Sequence, residues 1–361
     1  MKIIRDLKNV KEVTELSTIV IGNFDGVHLG HQEIIKKCSQ ISSSSRFGIL
    51  TFDPHPRDYF QKELTSFKLT TKEHKYSMLK KLNISFLVEL KFDKNIEILT
   101  PENFVKSILF EKLGAKQIIV GNDFRFGYKR SGDIKLLKHI GQKYKINVFS
   151  LSLTTFGKDK ISSTIIRNAL KEGQIEKANK MLGYHHKIYG TVIQGDKRGR
   201  ELGFPTINLE LKNIIAPKFG IYACYIKILS PEYEDNLYKG VASIGTKPTF
   251  GKNEANCEVY IFNFSNFIYG KKVIVSLIKF QRDEIKYDSI ENLILQMKKD
   301  CEIAKEALKT ISFYQWKKDF GKINHLVISA ERNGNFFAMV VENAVLTNFR
   351  KQKKVLQFLL M

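Results

Sequence analysis

Through the first 183 residues, short apolar β-branched runs alternate with longer segments of mixed polarity. Residues 17–22 (STIVIG), 47–52 (FGILTF), 84–90, 117–121 (QIIVG) and 147–153 read as buried strands, each a compact apolar run bounded by polar residues or glycine. Residues 29–38, 72–82, 101–113 and 164–171 read as helices between them. The stretch 101–113 opens with Thr100-Pro101, a pairing that favours a helix start because proline has no N–H to leave unsatisfied. Strand–helix alternation of this kind predicts a parallel sheet with helices on both faces.

The pattern changes after Leu182-Gly183-Tyr184. Residues 187–193, 220–228, 239–244, 257–264 and 272–280 are short apolar runs separated by Gly, Pro and Asn, as in an antiparallel barrel or sandwich. Residues 289–308 then carry apolar Ile290, Leu293, Ile294, Met297, Ile303 and Ala304 near helical spacing. These shifts divide the chain into 1–183, 184–310 and an extension, 311–361. The extension contains Trp316, an Asn333-Gly334-Asn335 turn signal and an apolar end. It fits an extra helix–strand unit, a contact surface or a loose end, and it leaves the oligomeric state open.

Composition narrows the class. Apolar residues make up 43% and charged residues 27% of the 361, the balance of a soluble globular protein. The formal net charge is +22. That charge suits either a nucleic-acid-binding surface or an enzyme with phosphorylated ligands. The lysines are scattered singly and in pairs rather than gathered in a block, which favours the second reading and predicts no specific nucleic-acid partner. Cys38, Cys224, Cys257 and Cys301 are far apart and make no metal-binding pair, in keeping with a reducing compartment. The N-terminal residues lack the apolar core of a secretion signal, and no apolar run approaches the ~18 residues of a membrane span. A cytoplasmic protein without membrane partners is expected.

Two segments carry chemistry. The strand ending at Gly22 runs into Asn23-Phe24-Asp25-Gly26-Val27-His28-Leu29-Gly30-His31. This puts His28 and His31 in a strand-to-helix turn, where free N–H groups and the helix dipole attract phosphate. Two imidazoles there can donate to charge developing on a phosphorus atom. Spacing alone fits metal ligation or a plain surface pair as well. The second segment is 190–208, where Gly195, Gly199 and Gly203 recur beside Lys197, Arg198 and Arg200. A glycine-rich loop with cations suits ATP phosphates, and a basic hairpin loop has the same composition.

The first segment resembles the H-x-G-H motif of the nucleotidyltransferase superfamily, and the string GNFDGVHLGH resembles bacterial FAD synthetases in particular. Thr51-Phe52-Asp53-Pro54-His55-Pro56, Gly121-Asn122-Asp123-Phe124-Arg125-Phe126-Gly127 and Ile161-Ser162-Ser163-Thr164-Ile165-Ile166-Arg167 resemble three further motifs of that family, in its order. The resemblance implies direct attack of the FMN phosphate on the α-phosphorus of ATP, with His28 and His31 catalytic. It implies ATP contacts from Gly22, Phe24, Gly30, Ser162, Ser163, Thr164 and Arg167, and flavin contacts from Asp123 and Phe126. Read as plain chemistry, the 162–164 run offers N-cap hydroxyls, and Arg167 a bidentate phosphate donor.

The segment 190–208 resembles the signature of riboflavin kinases. It implies ATP binding by Gly195, Lys197, Gly199, Arg200, Gly203, Pro205 and Thr206, and Mg²⁺ held by Thr206 and Asn208, whose hard oxygens suit that ion. Pro217–Ala223 and Gly245–Gly251 continue the likeness. Glu258 falls where the family has its catalytic base, and Arg282 near its flavin. Tyr287 stands where Phe is more usual. Together the resemblances imply an α/β + β protein: a doubly wound Rossmann-like nucleotidyltransferase unit followed by a six-stranded antiparallel barrel with a C-terminal helix. The expected substrates are riboflavin, FMN and ATP, with Mg²⁺. A nucleotidyltransferase for another phosphorylated acceptor is the alternative within the same chemistry.

Overall fold

The computed structural model describes residues 1–41, 46–61, 66–151, 155–156, 159–195, 198–233, 236–246, 255–309, 325–332 and 335–342, with backbone only at 155–156, 159, 198 and the last two stretches. Two six-stranded sheets dominate. The first is built from β1 (Lys2–Ile4), β2 (Thr18–Ile21), β3 (Phe47–Asp53), β4 (Phe86–Lys91), β5 (Gln117–Gly121) and β6 (Asn147–Leu151). Its order is β1-β4-β3-β2-β5-β6, and every pair is parallel. A parallel sheet is covered on both faces, so its strands read as continuous apolar runs rather than as alternation. Alternate residues do divide between two cores. Ile19, Leu50, Val88 and Ile118 face one; Val20, Ile49, Leu87 and Ile119 face the other.

Helices α1 (Leu29–Ile41), α2 (Lys72–Lys81), α3 (Ile134–Lys143), α4 (Ser163–Lys171) and α5 (Ile175–Leu182) accompany this sheet. The stretch 101–112 starts as expected, with Thr100 Oγ1 accepting from Asn103 N–H at 3.2 Å, but over Phe104–Lys112 it is wound as a π-helix. The chain places β3 and β4 on one side of β2, then β5 and β6 on the other. The reversal leaves a crevice at the carboxyl ends of β2 and β5, the place where open α/β sheets bind ligands.

The second sheet comprises β7 (Lys187–Thr191), β8 (Thr206–Glu210), β9 (Gly220–Ile228), β10 (Tyr238–Thr246), β11 (Ala255–Ile261) and β12 (Lys272–Arg282). Its order is β8-β11-β10-β9-β12-β7, antiparallel throughout. Ile193 N–H donates to Asn208 O at 3.0 Å, which draws the two edge strands together and all but closes a barrel. Closure removes the exposed edges on which another chain would pair. Helix α6 (Ile290–Ala307) packs on the outside, where Ala304 and Leu308 meet Ala223 and Tyr225.

One apolar core runs between the sheets. Leu69, Ile166, Leu170 and Met181 share it with Ile188, Tyr222, Val259 and Leu277. Polar bonds stitch its margin. Asn179 on α5 donates to Leu277 O at 2.9 Å and accepts from His186 N–H at 2.7 Å. Ile215 N–H donates to Lys68 O and Lys218 N–H to Leu170 O, both at 2.8 Å. Beyond α6, β13 (His325–Arg332) and β14 (Asn335–Glu342) pair antiparallel on either side of the Asn333-Gly334 turn signal. The described part of the extension is this strand pair.

Candidate active sites

The first site is the turn between β2 and α1. Asp25, Val27 and His28 are buried in it, and Gly26 has φ +81° with Leu69 so close that a Cβ would lie 2.8 Å from Cδ1. Only glycine accepts both conditions. His28 and His31 stack, ring centroids 3.6 Å apart and 19° from parallel. Burial, with the nearby Arg167 charge, lowers the His28 pKa to about 4, and burial pushes His31 well below its ordinary value. Both rings are neutral at pH 7. The His31 backbone N–H points at His28 Nδ1 at 3.4 Å, which makes that nitrogen the acceptor and puts the His28 ring proton on Nε2.

Four distant segments hold this turn. Arg167 Nη2 meets Asp25 Oδ2 at 2.6 Å and Arg167 Nε donates to Phe67 O at 2.8 Å. Leu69 N–H donates to both Asp25 carboxylate oxygens, at 2.9 and 3.1 Å. Burial pushes the Asp25 carboxyl up, and Arg167 with the Leu69 N–H pulls it back. Ser163 Oγ donates to Asp25 O at 2.9 Å, and Lys75 Nζ to Asn23 O at 2.8 Å and Thr51 Oγ1 at 2.9 Å. Lys75, lowered to about 8 by burial, thus ties the ends of β2 and β3. His55, lowered to about 4 by burial, packs edge-on against Phe67, whose ring also lies 5.0 Å from the Arg167 guanidinium carbon.

The expected residues sort into two groups. His28, His31, Gly22, Gly30 and the Ser162–Thr164 run converge on the turn. Ser162 caps α4, accepting from Ile165 N–H at 3.3 Å, and Thr164 is exposed in its first turn. Arg167 differs: its guanidinium is engaged by Asp25 and Phe67 O. The Phe24 ring is buried beneath His31, centroids 5.0 Å apart, so only its backbone is offered to a ligand. Asp123 is exposed and pairs with Lys160 at 3.1 Å. Phe126 is buried in the core under Phe124, and its ring fills the place of any side chain at Gly132. Sequence reasoning missed Lys75, Phe67 and the part played by Asp25; Lys75 is one lysine among several in its helix, with no local mark to single it out.

The second site lies on the outer face of the barrel. The β8–β11 register sets Asn208 opposite Glu258 and Thr206 opposite Tyr260. Directly opposed residues share a face, so Thr206, Asn208 and Glu258 gather there, while their neighbours Leu209, Cys257 and Val259 fill the interior. Gly195 and Gly199 lie against them: a Cβ on Gly199 would be 3.4 Å from Thr206 Oγ1. A Cβ on Gly195 would lie 2.3 Å from Asn208 Nδ2, so the loop backbone rests on that amide. Asn208 Oδ1 accepts from Asn256 Nδ2 at 3.3 Å, and the buried Asn256 Oδ1 has no hydrogen-bond partner. Arg200 and Pro205 are exposed, the Arg200 guanidinium carbon standing 5.0 Å from the Phe267 ring centre. Lys197 and residues 247–251 lie outside the described residues. Arg282 is bound bidentately by Asp300 on α6 and donates to Asp283 O, so it ties the end of β12 to the helix.

Hard oxygens gathered under a backbone loop fit Mg²⁺, which takes few protein ligands and completes its shell with phosphate and water. The unpartnered Asn256 oxygen beside them marks the same region as built for a donor or a cation. Among the described residues no group of three His, Cys, Asp or Glu side chains is placed to hold a metal on its own.

Residues 10–165 match the FAD synthetase family and residues 182–308 the riboflavin kinase family. The chain is 38% identical over 316 residues to the bifunctional riboflavin kinase/FMN adenylyltransferase of Buchnera aphidicola subsp. Schizaphis graminum, covering 86% of this chain and all of that relative. It is 34% identical to the Haemophilus influenzae enzyme of the same name, over 84% of this chain and 98% of the relative. The Escherichia coli K12 enzyme is 32% identical, over 85% and 97%. A Streptococcus pneumoniae crystal structure named a macrolide-efflux protein superposes with TM-score 0.73 at 29% identity, over 86% of this chain and 99% of that one. Among the described residues, no helix here is long and apolar enough to cross a membrane.

Proposed function

The chain belongs to the bifunctional riboflavin kinase/FMN adenylyltransferases, and from that premise we propose how its two sites divide the work. The enzyme phosphorylates riboflavin to FMN with ATP, then transfers the adenylyl group of a second ATP to FMN, giving FAD and pyrophosphate. In our reading, adenylyl transfer occurs at the β2–α1 turn. His28 Nε2–H donates to the α-phosphate oxygens as charge builds on them, and His31 supports it from the stacked position. Ser162, Ser163 and Thr164 with the N-terminus of α4 receive the remaining phosphates, and Gly22 and Gly30 leave room for the nucleotide. Arg167 acts through Asp25 by fixing the turn. Asp123 borders the flavin, and Phe126 serves it from beneath by backing Phe124. No covalent intermediate is needed: catalysis is positioning together with stabilised charge.

The kinase reaction belongs to the barrel's outer face. Glu258 accepts the proton of the riboflavin 5′-hydroxyl as the oxygen attacks the γ-phosphorus. Thr206 and Asn208 hold Mg²⁺, which supplies positive charge to the transferring phosphates. The loop carrying Gly195, Lys197, Gly199, Arg200 and Gly203 closes over those phosphates, and Arg282 borders the flavin by holding the end of β12 against α6. We place the boundary between the two units at 183/184, with 184–310 as the kinase unit, and the protein in the cytoplasm.

The observation that carries the first assignment is the neutral, stacked His28–His31 pair in the β2–α1 turn, with the His28 ring proton on Nε2. The test is product analysis by chromatography. His28→Asn given riboflavin, ATP and Mg²⁺ should accumulate FMN and make no FAD. Glu258→Gln should leave riboflavin untouched yet convert added FMN to FAD. FAD formed at the normal rate by His28→Asn would remove the turn from the reaction.

A further inference from the structure

The carbonyls of the β2–α1 turn are held from an unexpected direction. The Tyr184 hydroxyl donates to Gly26 O at 2.5 Å, across 158 positions of the chain. Tyr184 is 3% exposed, and burial pushes its phenol well above the ordinary pKa, so it stays a donor. One residue further along the turn, Val27 O accepts from the Gln32 amide at 2.8 Å, and the same amide donates to Leu182 O at 3.0 Å. Gly183, at φ +77°, lets the end of α5 press on Leu29; a Cβ there would lie 2.4 Å from Leu29 Cδ2. The residues 182–184 that make these contacts lie at the start of the segment matching riboflavin kinase. Their own position is set by Asn179, which is bonded to Leu277 O and His186 N–H of the barrel.

We propose that Tyr184, a residue of the kinase half, is a positioning residue for adenylyl transfer: its hydroxyl fixes the Gly26 carbonyl and, through it, the direction of the His28 imidazole two residues on. The proposal rests on the reading that the His28 turn carries out adenylyl transfer. The physical warrant is leverage. Gly26 has φ +81°, a conformation that leaves its backbone without side-chain restraint. The plane of its carbonyl is pinned at two points, the oxygen by Tyr184 at 2.5 Å and the Val27 N–H by Phe24 O at 3.2 Å, and the Tyr184 bond is the shorter and the one made from the other half. Rotation of that plane moves His28 relative to the substrate phosphate, and displacements of about 1 Å cost up to about a hundredfold in rate. The barrel thereby completes the other half's site through one buried oxygen.

The test uses the full chain with Tyr184→Phe, which keeps the ring that packs against His74 and removes only the hydroxyl. FAD formation from FMN and FMN formation from riboflavin are measured separately. Adenylyl-transfer kcat should fall about tenfold, the scale of one lost buried hydrogen bond, with KM for ATP and FMN within about twofold. The kinase kcat should not change. Gln32→Met, which strips the second restraint, should give the same split. Normal adenylyl-transfer kcat in Tyr184→Phe alongside a crippled His28→Asn would overturn the proposal. So would an equal fall of both activities, since that is the mark of a general packing role. Full activity in His28→Asn would instead sink the underlying reading of the turn.

Discussion

Asp25 and Arg167, 142 positions apart, form a buried ion pair at 2.6 Å in which the guanidinium also holds Phe67 O and the carboxylate also receives the Leu69 N–H. Three segments of chain meet at one bond. Removing one partner strands the other's charge in a dry place, which typically costs about 3–5 kcal/mol. Asp25→Ala and Arg167→Met should each lower the unfolding free energy from urea titration by that order and abolish FAD formation. Arg167→Lys keeps the charge but cannot span Asp25 and Phe67 O together, and should recover little of either.

The second site offers a cleaner block. Gly195 sits on the Asn208 amide with no room for a methyl group. Gly195→Ala should lower kinase kcat by about a hundredfold, the order expected for a misplaced reacting group, while conversion of added FMN to FAD proceeds normally. Steady-state rates for the two half-reactions check both parts.

Acid should unfold this protein sooner than its lysine content suggests. His28, His55 and His186 are each lowered to about 4, chiefly by burial, and burial holds His31 and His74 well below the ordinary value. Unfolded histidine takes its proton near 6.5, so between about 6.5 and 4 the unfolded state binds more protons than the folded one. Stability is complete above pH 6.5 and falls as pH drops through that window. A thermal melt series from pH 7.5 to 4.5 should show a steadily declining Tm, and calorimetry at pH 5 should show uptake of several protons on unfolding.

His74 tests that account one residue at a time. Its ring lies between Tyr184 and Tyr189 with both nitrogens buried and without hydrogen-bond partners. His74→Phe keeps the aromatic packing and removes two stranded polar atoms. The variant should be at least as stable as the parent at pH 7.5, by about 1–2 kcal/mol at most, and its Tm should fall less steeply on acidification.

Much of this architecture is local and was legible for that reason. The 17–22 run is β-branched and apolar because its strand is buried on both faces, and the glycine after it opens the turn that carries His28. Thr100-Pro101 marks a helix start from two adjacent residues. β1 is three residues long, too short for any period to register. β8 was hidden because Thr206 and Asn208, on its outer face, read as loop chemistry rather than as one side of a strand. Phe126 sits in a motif that suggests ligand contact, but the missing side chain at Gly132 makes room for its ring inside the core. Arg167 stands in a phosphate-binding pattern, and its partner Asp25 lies 142 positions away, beyond any local reading. The Tyr184–Gly26 bond depends on how α5 docks against the barrel, which no window of sequence contains.

The apolar core shared by the two sheets has a consequence for cellular dosage. The maker of FMN and its consumer are present in equal number in every cell that expresses the chain, because they are one object. A lesion at Leu170 or Val259, on either side of that core, removes both from the supply together. The halves are not interchangeable cassettes either: a barrel grafted from a distant relative would have to bring its own match for Asn179, Leu29 and Gly26. A change at the seam therefore reaches FAD supply through both reactions, as a change at either site reaches it through one.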